Sequence, residues 1–196
     1  MSGTNQQYDQ EIRTCRDIFV QKTKDYGTSW RVLRPISITD QLFIKAKRIR
    51  TLQETKEQKV GEDKAGEFRA MVNYGVIGLI QLSIEHETTR KRSDLRAAQE
   101  TSEDLPVEAA TRWYDENIAL ARTTMIAKNH DYGEAWRDMS QESFTDLILM
   151  KLLRIRQIIA NDGKTLISEG IDSNFIDIIN YSLFALILIA EGKHTS

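Results

Sequence analysis

The sequence predicts an all-α protein: a helical bundle made of two tandem three-helix repeats with pseudo-twofold symmetry. Three observations carry that expectation. The string Lys-x-x-Asp-Tyr-Gly-x-x-Trp-Arg stands at residues 22–31 and again at residues 128–137, and an internal repeat dictates architecture before any single element is considered. The match extends beyond the string. Tyr8, Asp9, Ile12 and Arg16 return as Tyr114, Asp115, Ile118 and Arg122. Ser37, Thr39, Asp40, Lys45, Arg48, Ile49 and Arg50 return as Ser143, Thr145, Asp146, Lys151, Arg154, Ile155 and Arg156. One inserted residue later, Phe68, Asn73 and Tyr74 return as Phe175, Asn180 and Tyr181. Finally, apolar residues recur at helical spacing without strand-like alternation, glycines cluster at segment ends, and proline is confined to Pro35 and Pro106.

Each element follows from local signals. Ile12, Cys15, Ile18 and Phe19 give a first helix over residues 8–24, stopped by Asp25-Tyr26-Gly27 because glycine tolerates the conformation a helix end needs. A short irregular stretch reaches Pro35. Ser37-x-x-Asp40 has the form of a capping box and opens a second helix over residues 37–59. A third runs over residues 66–87. The polar stretch that follows reads as a linker, and Pro106 opens the second copy, a position proline suits. The same three helices then recur at residues 107–129, 143–161 and 173–191. The organisation expected is a disordered tail over residues 1–7, a first repeat over 8–88, a linker over 89–106 and a second repeat over 107–191. Each half is too short for a generous core of its own, so the two pack as one domain.

Composition bounds the function. The chain has 196 residues and a net charge of −2, so no overall field draws nucleic acid. Cys15 is the only cysteine; it excludes an internal disulfide and suits a reducing, cytoplasmic compartment. It reads as a small core residue, not a nucleophile. The N-terminus is polar and shows no signal peptide. The most apolar stretch, residues 175–190, is slightly short for a membrane span and carries Asp177 and Asn180, so it reads as a buried core helix. No glycine-rich phosphate loop, no Cys/His metal spacing and no nucleophile with a base is present, and the three histidines form no cluster.

The candidate site residues lie in the repeated motifs. Lys45 with Arg48, and Lys151 with Arg154, stand three apart and share a helix face. On a helix as apolar as residues 146–159 they must find anions or reach solvent. Asp177 and Asn180 share one stripe of an otherwise apolar helix. Two readings are open for Asp177. It forms an internal ion pair with Arg154 or Lys151, or it holds Mg²⁺ with Glu169 while Lys151 and Arg154 hold phosphate. Asp146 is likewise either a helix cap or a catalytic carboxylate beside Asp177. The Asp-Tyr-Gly-x-x-Trp turns, with Tyr26 and Trp30 in the first copy and Asp131, Tyr132 and Trp136 in the second, form either plugs at the ends of the bundle or a lid on which a base stacks. Ala70 stands where Asp177 stands, which argues for a single complete site in the second half.

The joint pattern resembles the nucleotide modification associated domain 1 family. Lys128, Asp131, Tyr132, Gly133, Trp136, Asp146, Lys151, Arg154, Ile155, Asp177, Asn180 and Tyr181 complete it. The first copy carries all but the last aspartate, from Lys22 and Asp25 through Lys45, Arg48, Asn73 and Tyr74. More loosely, the layout is similar to the all-α nucleoside triphosphate pyrophosphohydrolases of the MazG and dimeric dUTPase class. Their hallmark is a Glu-x-x-Glu pair followed by an acidic pair, where this chain has Asp-x-x-x-x-Lys-x-x-Arg and Asp-x-x-Asn. The resemblance implies a binding protein for a nucleotide or related phosphorylated small molecule, with Mg²⁺-dependent phosphohydrolysis as its catalytic extension. Lys128, Asp131, Tyr132, Trp136, Lys151, Arg154, Asn180, Lys45 and Arg48 would contact substrate. Asp177 and Asp146 would be catalytic, with Asp177 and Glu169 on the metal. The other reading is a non-catalytic interaction module whose repeated polar residues are structural ion pairs and caps. The partner expected is a small phosphorylated ligand, with no membrane and no strong nucleic-acid signal; a monomer, in which the duplication replaces a homodimer, and a homo-oligomer are both open.

Overall fold

The computed structural model describes residues 2–55, 63–91, 104–165 and 169–193. Six helices make it up: α1 (Ser2–Tyr26), α2 (Pro35–Thr55), α3 (Lys64–Lys91), α4 (Val107–Tyr132), α5 (Gln141–Ala160) and α6 (Ile171–Ala190). A single 3₁₀ turn follows α1 at Ser29–Val32 and another follows α4 at Ala135–Asp138. No strand occurs among the described residues. In three layers, α3 and α6 lie side by side in the middle, α1 and α4 cover one face, and α2 and α5 cover the other. The core is continuous across both repeats, with Phe68, Met71 and Ile80 of α3 joining Phe175, Ile178 and Leu183 of α6.

The helices extend past the sequence boundaries for identifiable reasons. Residues 2–7, expected as a tail, form the first turns of α1. The Thr4 hydroxyl is buried and hydrogen-bonds Glu134, and Gln7 donates to Glu191 at 2.8 Å and accepts from Arg137 at 2.7 Å. Neither Ser37 nor Ser143 is a cap. α2 opens at Pro35, and the cap of α5 is Ser140, whose hydroxyl accepts the Ser143 N–H at 3.2 Å. Of the linker expected over residues 89–106, α3 claims the start as far as Lys91, and residues 92–103 lie outside the described residues. The same holds for residues 56–59, expected to end the second helix.

Glycine has two distinct jobs. Gly27 and Gly133 end α1 and α4 at φ of 63° and 64°, and at Gly133 ψ is −153°, a conformation almost reserved for glycine. Gly78, inside α3 and not at a segment end, lets α6 approach: a Cβ there would lie 2.8 Å from the Phe175 ring. α6 is 20 residues long and apolar enough to cross a membrane, so length does not argue against a span. Burial does, because 72% of its apolar 18-residue window is packed inside the protein.

The pseudo-twofold axis is written in reciprocal contacts. Arg16 grips Asp115 through two hydrogen bonds of 2.6 and 2.8 Å, and Arg122 grips Asp9 through two of 2.7 and 3.0 Å. Arg50 pairs with Asp146 as Arg156 pairs with Asp40. Tyr8 donates to Asn180 at 2.5 Å, and Tyr114 donates to Asn73 at 2.9 Å. The two amides complete the set by donating to the carbonyls of Ala121 (3.2 Å) and Cys15 (3.0 Å). This pattern, in which i meets j′ and j meets i′, is that of an isologous dimer interface placed inside one chain. The exposed charge pairs contribute little each. The buried tyrosine–asparagine bonds matter more, since a buried acceptor left alone costs about 1–3 kcal/mol. Tyr8→Phe and Tyr114→Phe should therefore each lower unfolding free energy by about 1–3 kcal/mol in urea titrations. A neutral result for either would show that these bonds do not join the halves.

Candidate ligand-binding site

The same step recurs in each repeat where its last helix faces its middle helix: a carboxylate goes into the interior and must be neutralised there. In the second repeat it is Asp177, which is 5% exposed. Lys128 of α4 donates to its Oδ1 at 2.6 Å, and Lys151 of α5 reaches its Oδ2 at 2.5 Å. Lys151 is itself buried. Burial works against the Lys128 ammonium, but the Asp177 hydrogen bond and the charges of Asp177 and Glu169 outweigh it and raise its pKa. Tyr181 stands beside this cluster, and burial followed by the Asp177 charge pushes its phenol up.

In the first repeat Ala70 occupies the matching position, yet a buried carboxylate is still there. Glu67, one turn earlier on α3 and 2% exposed, accepts from Lys45 at 3.2 Å and from Arg48. Positions three apart share a helix face, and the longer side chain spans the offset. The first repeat has therefore kept its acid and shifted it. The shift leaves Lys22, the counterpart of Lys128, with no carboxylate: it is exposed and makes no ion pair or hydrogen bond among the described residues.

Beside Lys22 a cavity of about 500 Å³ opens in the first repeat. Lys22, Tyr26, Trp30, Lys45, Glu67 and Tyr74 bound it, with Arg69, Ala70 and Ile77 along one wall. Lys45 lies over the Tyr74 ring, 5.9 Å from its centre. Two replacements make room. Ala70 stands for Asp177, and Ile77 stands for Phe184, on which Trp136 stacks at 4.2 Å and 6° in the second repeat. The rim is held by Asp104, which accepts from the Thr28 backbone and, at 2.6 Å, from its hydroxyl. Those bonds, side chain first, hold the Asp104 carboxyl below its ordinary range.

The sequence profile of nucleotide modification associated domain 1 matches residues 22–82 and again residues 128–189. The chain belongs to that family. It carries the nucleotide modification associated domain 1 in two tandem copies, each match beginning at the motif lysine and ending within the last helix of its repeat. Neither curated proteins nor solved structures give a match.

The expected site residues divide between two places and a surface. Lys128, Lys151 and Asp177 meet, with Glu169 and Arg154 close enough for their charges to act on Tyr181. Lys45 and Arg48 meet Glu67 instead. Asp146 lies on the surface against Arg50, and Asn180 has both ends of its amide engaged in the core. Asp131 and Tyr132 are exposed, while Trp136 is buried and donates to Asn129 at 3.2 Å. Thus Tyr132 and Trp136 do not form one lid. Sequence reasoning missed Glu67, Lys22, Arg69 and Tyr74 as a set. The signal for Glu67 was its i, i+3 relation to Ala70.

Both oxygens of Asp177, and both of Glu67, already face cations, and no group of three His, Cys, Asp or Glu side chains is placed to hold a metal among the described residues. As a donor set these residues do not fit a Mg²⁺ ion held by the protein. Removing Asp177 leaves a buried lysine facing a second lysine, and breaking such pairs costs about 3–5 kcal/mol. Asp177→Ala should lose about that much in chemical unfolding, whereas Lys22→Ala should stay within about 0.5 kcal/mol of wild type. Equal costs would remove the distinction between a structural and a free lysine.

Proposed function

We propose that the chain binds a nucleotide, or a related phosphorylated small molecule, in the cavity of its first repeat. One observation carries this reading: the repeated residues Lys22, Tyr26, Trp30, Lys45 and Tyr74 line that cavity together, and Lys22 has no counter-charge there. Lys22 and Lys45 would receive the phosphate, with Glu67 and Arg48 fixing the direction of Lys45. Tyr26, Trp30 and Tyr74 offer aromatic surface to a base. The volume of about 500 Å³ suits a small ligand. The family's association with nucleotide modification accords with such a ligand.

The reading is one of binding, not hydrolysis. Among the described lining residues Glu67 is the one carboxylate, and its oxygens are engaged by Lys45 and Arg48, so it orients cations and has no free oxygen for a water. The second repeat supports a scaffold role instead, because there the homologous lysine is consumed by Asp177.

Thermal unfolding against a panel of nucleoside phosphates tests this. A ligand at about 100 times its dissociation constant adds about 2.7 kcal/mol, a shift of several degrees for a chain of this size. The wild type and Lys128→Ala should shift alike, and Lys22→Ala should lose most of the response. A flat panel, or an unaffected Lys22→Ala, would contradict the proposal.

A further inference from the structure

The wall that carries Trp30 is fastened in a way the second repeat does not use. Ala70, Tyr74, Ile77 and Gln81 recur at helical spacing and share one face of α3. The first three line the cavity. Gln81 is buried, and its amide nitrogen donates to the Arg31 carbonyl at 2.8 Å and to the Leu33 carbonyl at 2.6 Å. The last carbonyls of a helical turn have no partner within it and must find one elsewhere. Trp30 and Leu33 line the cavity too, so these two bonds fasten α3 to the segment that forms the aromatic wall. At the other end of that segment Thr28 is buried and held by Asp104.

The second repeat holds the matching turn by its side chains. Trp136 stacks on Phe184, and Arg137 pairs with Glu134 and, at 2.7 Å, with Glu191. Each of those partners is replaced in the first repeat: Ile77 stands for Phe184, Thr28 for Glu134 and Ile84 for Glu191. Trp30 has instead a tilted contact with Phe19, 6.2 Å between ring centres. Leu188, which has no donor, stands where Gln81 stands. The donor therefore occurs in the repeat that lacks the stack. A stack fixes the turn by covering a face of the indole, whereas a tether to the backbone fixes it without using the ring.

We propose, resting on the nucleotide reading above, that Gln81 is a positioning residue for the ligand. It fixes the Trp30 turn through two backbone carbonyls and so holds the indole in place as a wall of the cavity. A wall fixed before the ligand arrives lowers the ordering cost of binding, which raises affinity. Gln81 itself touches no ligand in this arrangement; it acts through the turn.

Two measurements on the full chain test this, and the first needs no ligand. Fluorotryptophan labelling gives separate fluorine NMR resonances for Trp30, Trp113 and Trp136, and Trp30→Phe assigns the first of them. Gln81→Leu, which installs the second repeat's own residue, should move or broaden the Trp30 resonance and leave that of Trp136 in place. An unchanged Trp30 resonance would show that packing alone sets the turn and would overturn the proposal. The second measurement is a titration below the melting temperature with the nucleoside phosphate of the panel that shifts the wild type most. Gln81→Leu, and Gln81→Met, which keeps the length without a donor, should each bind it about tenfold more weakly. Tyr8→Phe, less stable but outside the cavity lining, should bind as wild type does. Lost stability alone cannot produce that contrast, because the folded protein is what is titrated. Wild-type affinity in both Gln81 variants overturns the positioning role and leaves the nucleotide site standing. A wild type that responds to no member of the panel overturns the nucleotide reading and, with it, the role of Gln81 toward that ligand.

Discussion

One buried carboxylate per repeat, neutralised between helices, is the constraint on which the rest of the structure depends. A charge taken into a helical interior costs several kcal/mol unless cations meet it there. In the second repeat Asp177 is met by Lys128 from α4 and Lys151 from α5, so one side chain ties three helices together. In the first repeat Glu67 is met by Lys45 and Arg48, both from α2. The α1 lysine is thereby released. Moving an acid by one helical turn converts a structural cation into one that faces a cavity.

Duplication makes that divergence affordable. The reciprocal pairs of Arg16 with Asp115 and Arg122 with Asp9, and of the two tyrosines with the two asparagines, hold the halves together whatever becomes of the buried acid in either repeat. With the twofold fixed by those contacts, Trp136 stacks on Phe184 in the second repeat, and the first keeps a space where Ile77 and Ala70 stand. Cys15, at the centre of this arrangement, is fully buried, and burial pushes its thiol up to about 12. It is packing, not chemistry.

Much of this was legible in the sequence. Six helices and the pseudo-twofold follow from the repeat and the helical periodicity, and the fold confirms both. Helix starts were less legible. The serine caps expected at Ser37 and Ser143 gave way to starts at Pro35 and Ser140, because Asp40 and Asp146 are drawn across the axis to Arg156 and Arg50. No local pattern announces a partner in the other repeat. The first turns of α1 were hidden for the same reason, since Thr4 and Gln7 are polar residues ordered by Glu134, Arg137 and Glu191 far along the chain. The site was half legible. Lysine, arginine and the acidic stripe were found, but matching residues position by position assigned the loss to Ala70 and passed over Glu67.

The most direct test of this account is the ligand-induced shift in melting temperature of Ala70→Asp beside that of the wild type, with a saturating concentration of the nucleoside phosphate that shifts the wild type most. The substitution gives Lys22 the carboxylate that Lys128 already has. The account predicts a folded variant, as stable as wild type or more so, in which the shift is lost. A variant that keeps the wild-type shift would show that the free lysine of the first repeat is not what holds the ligand.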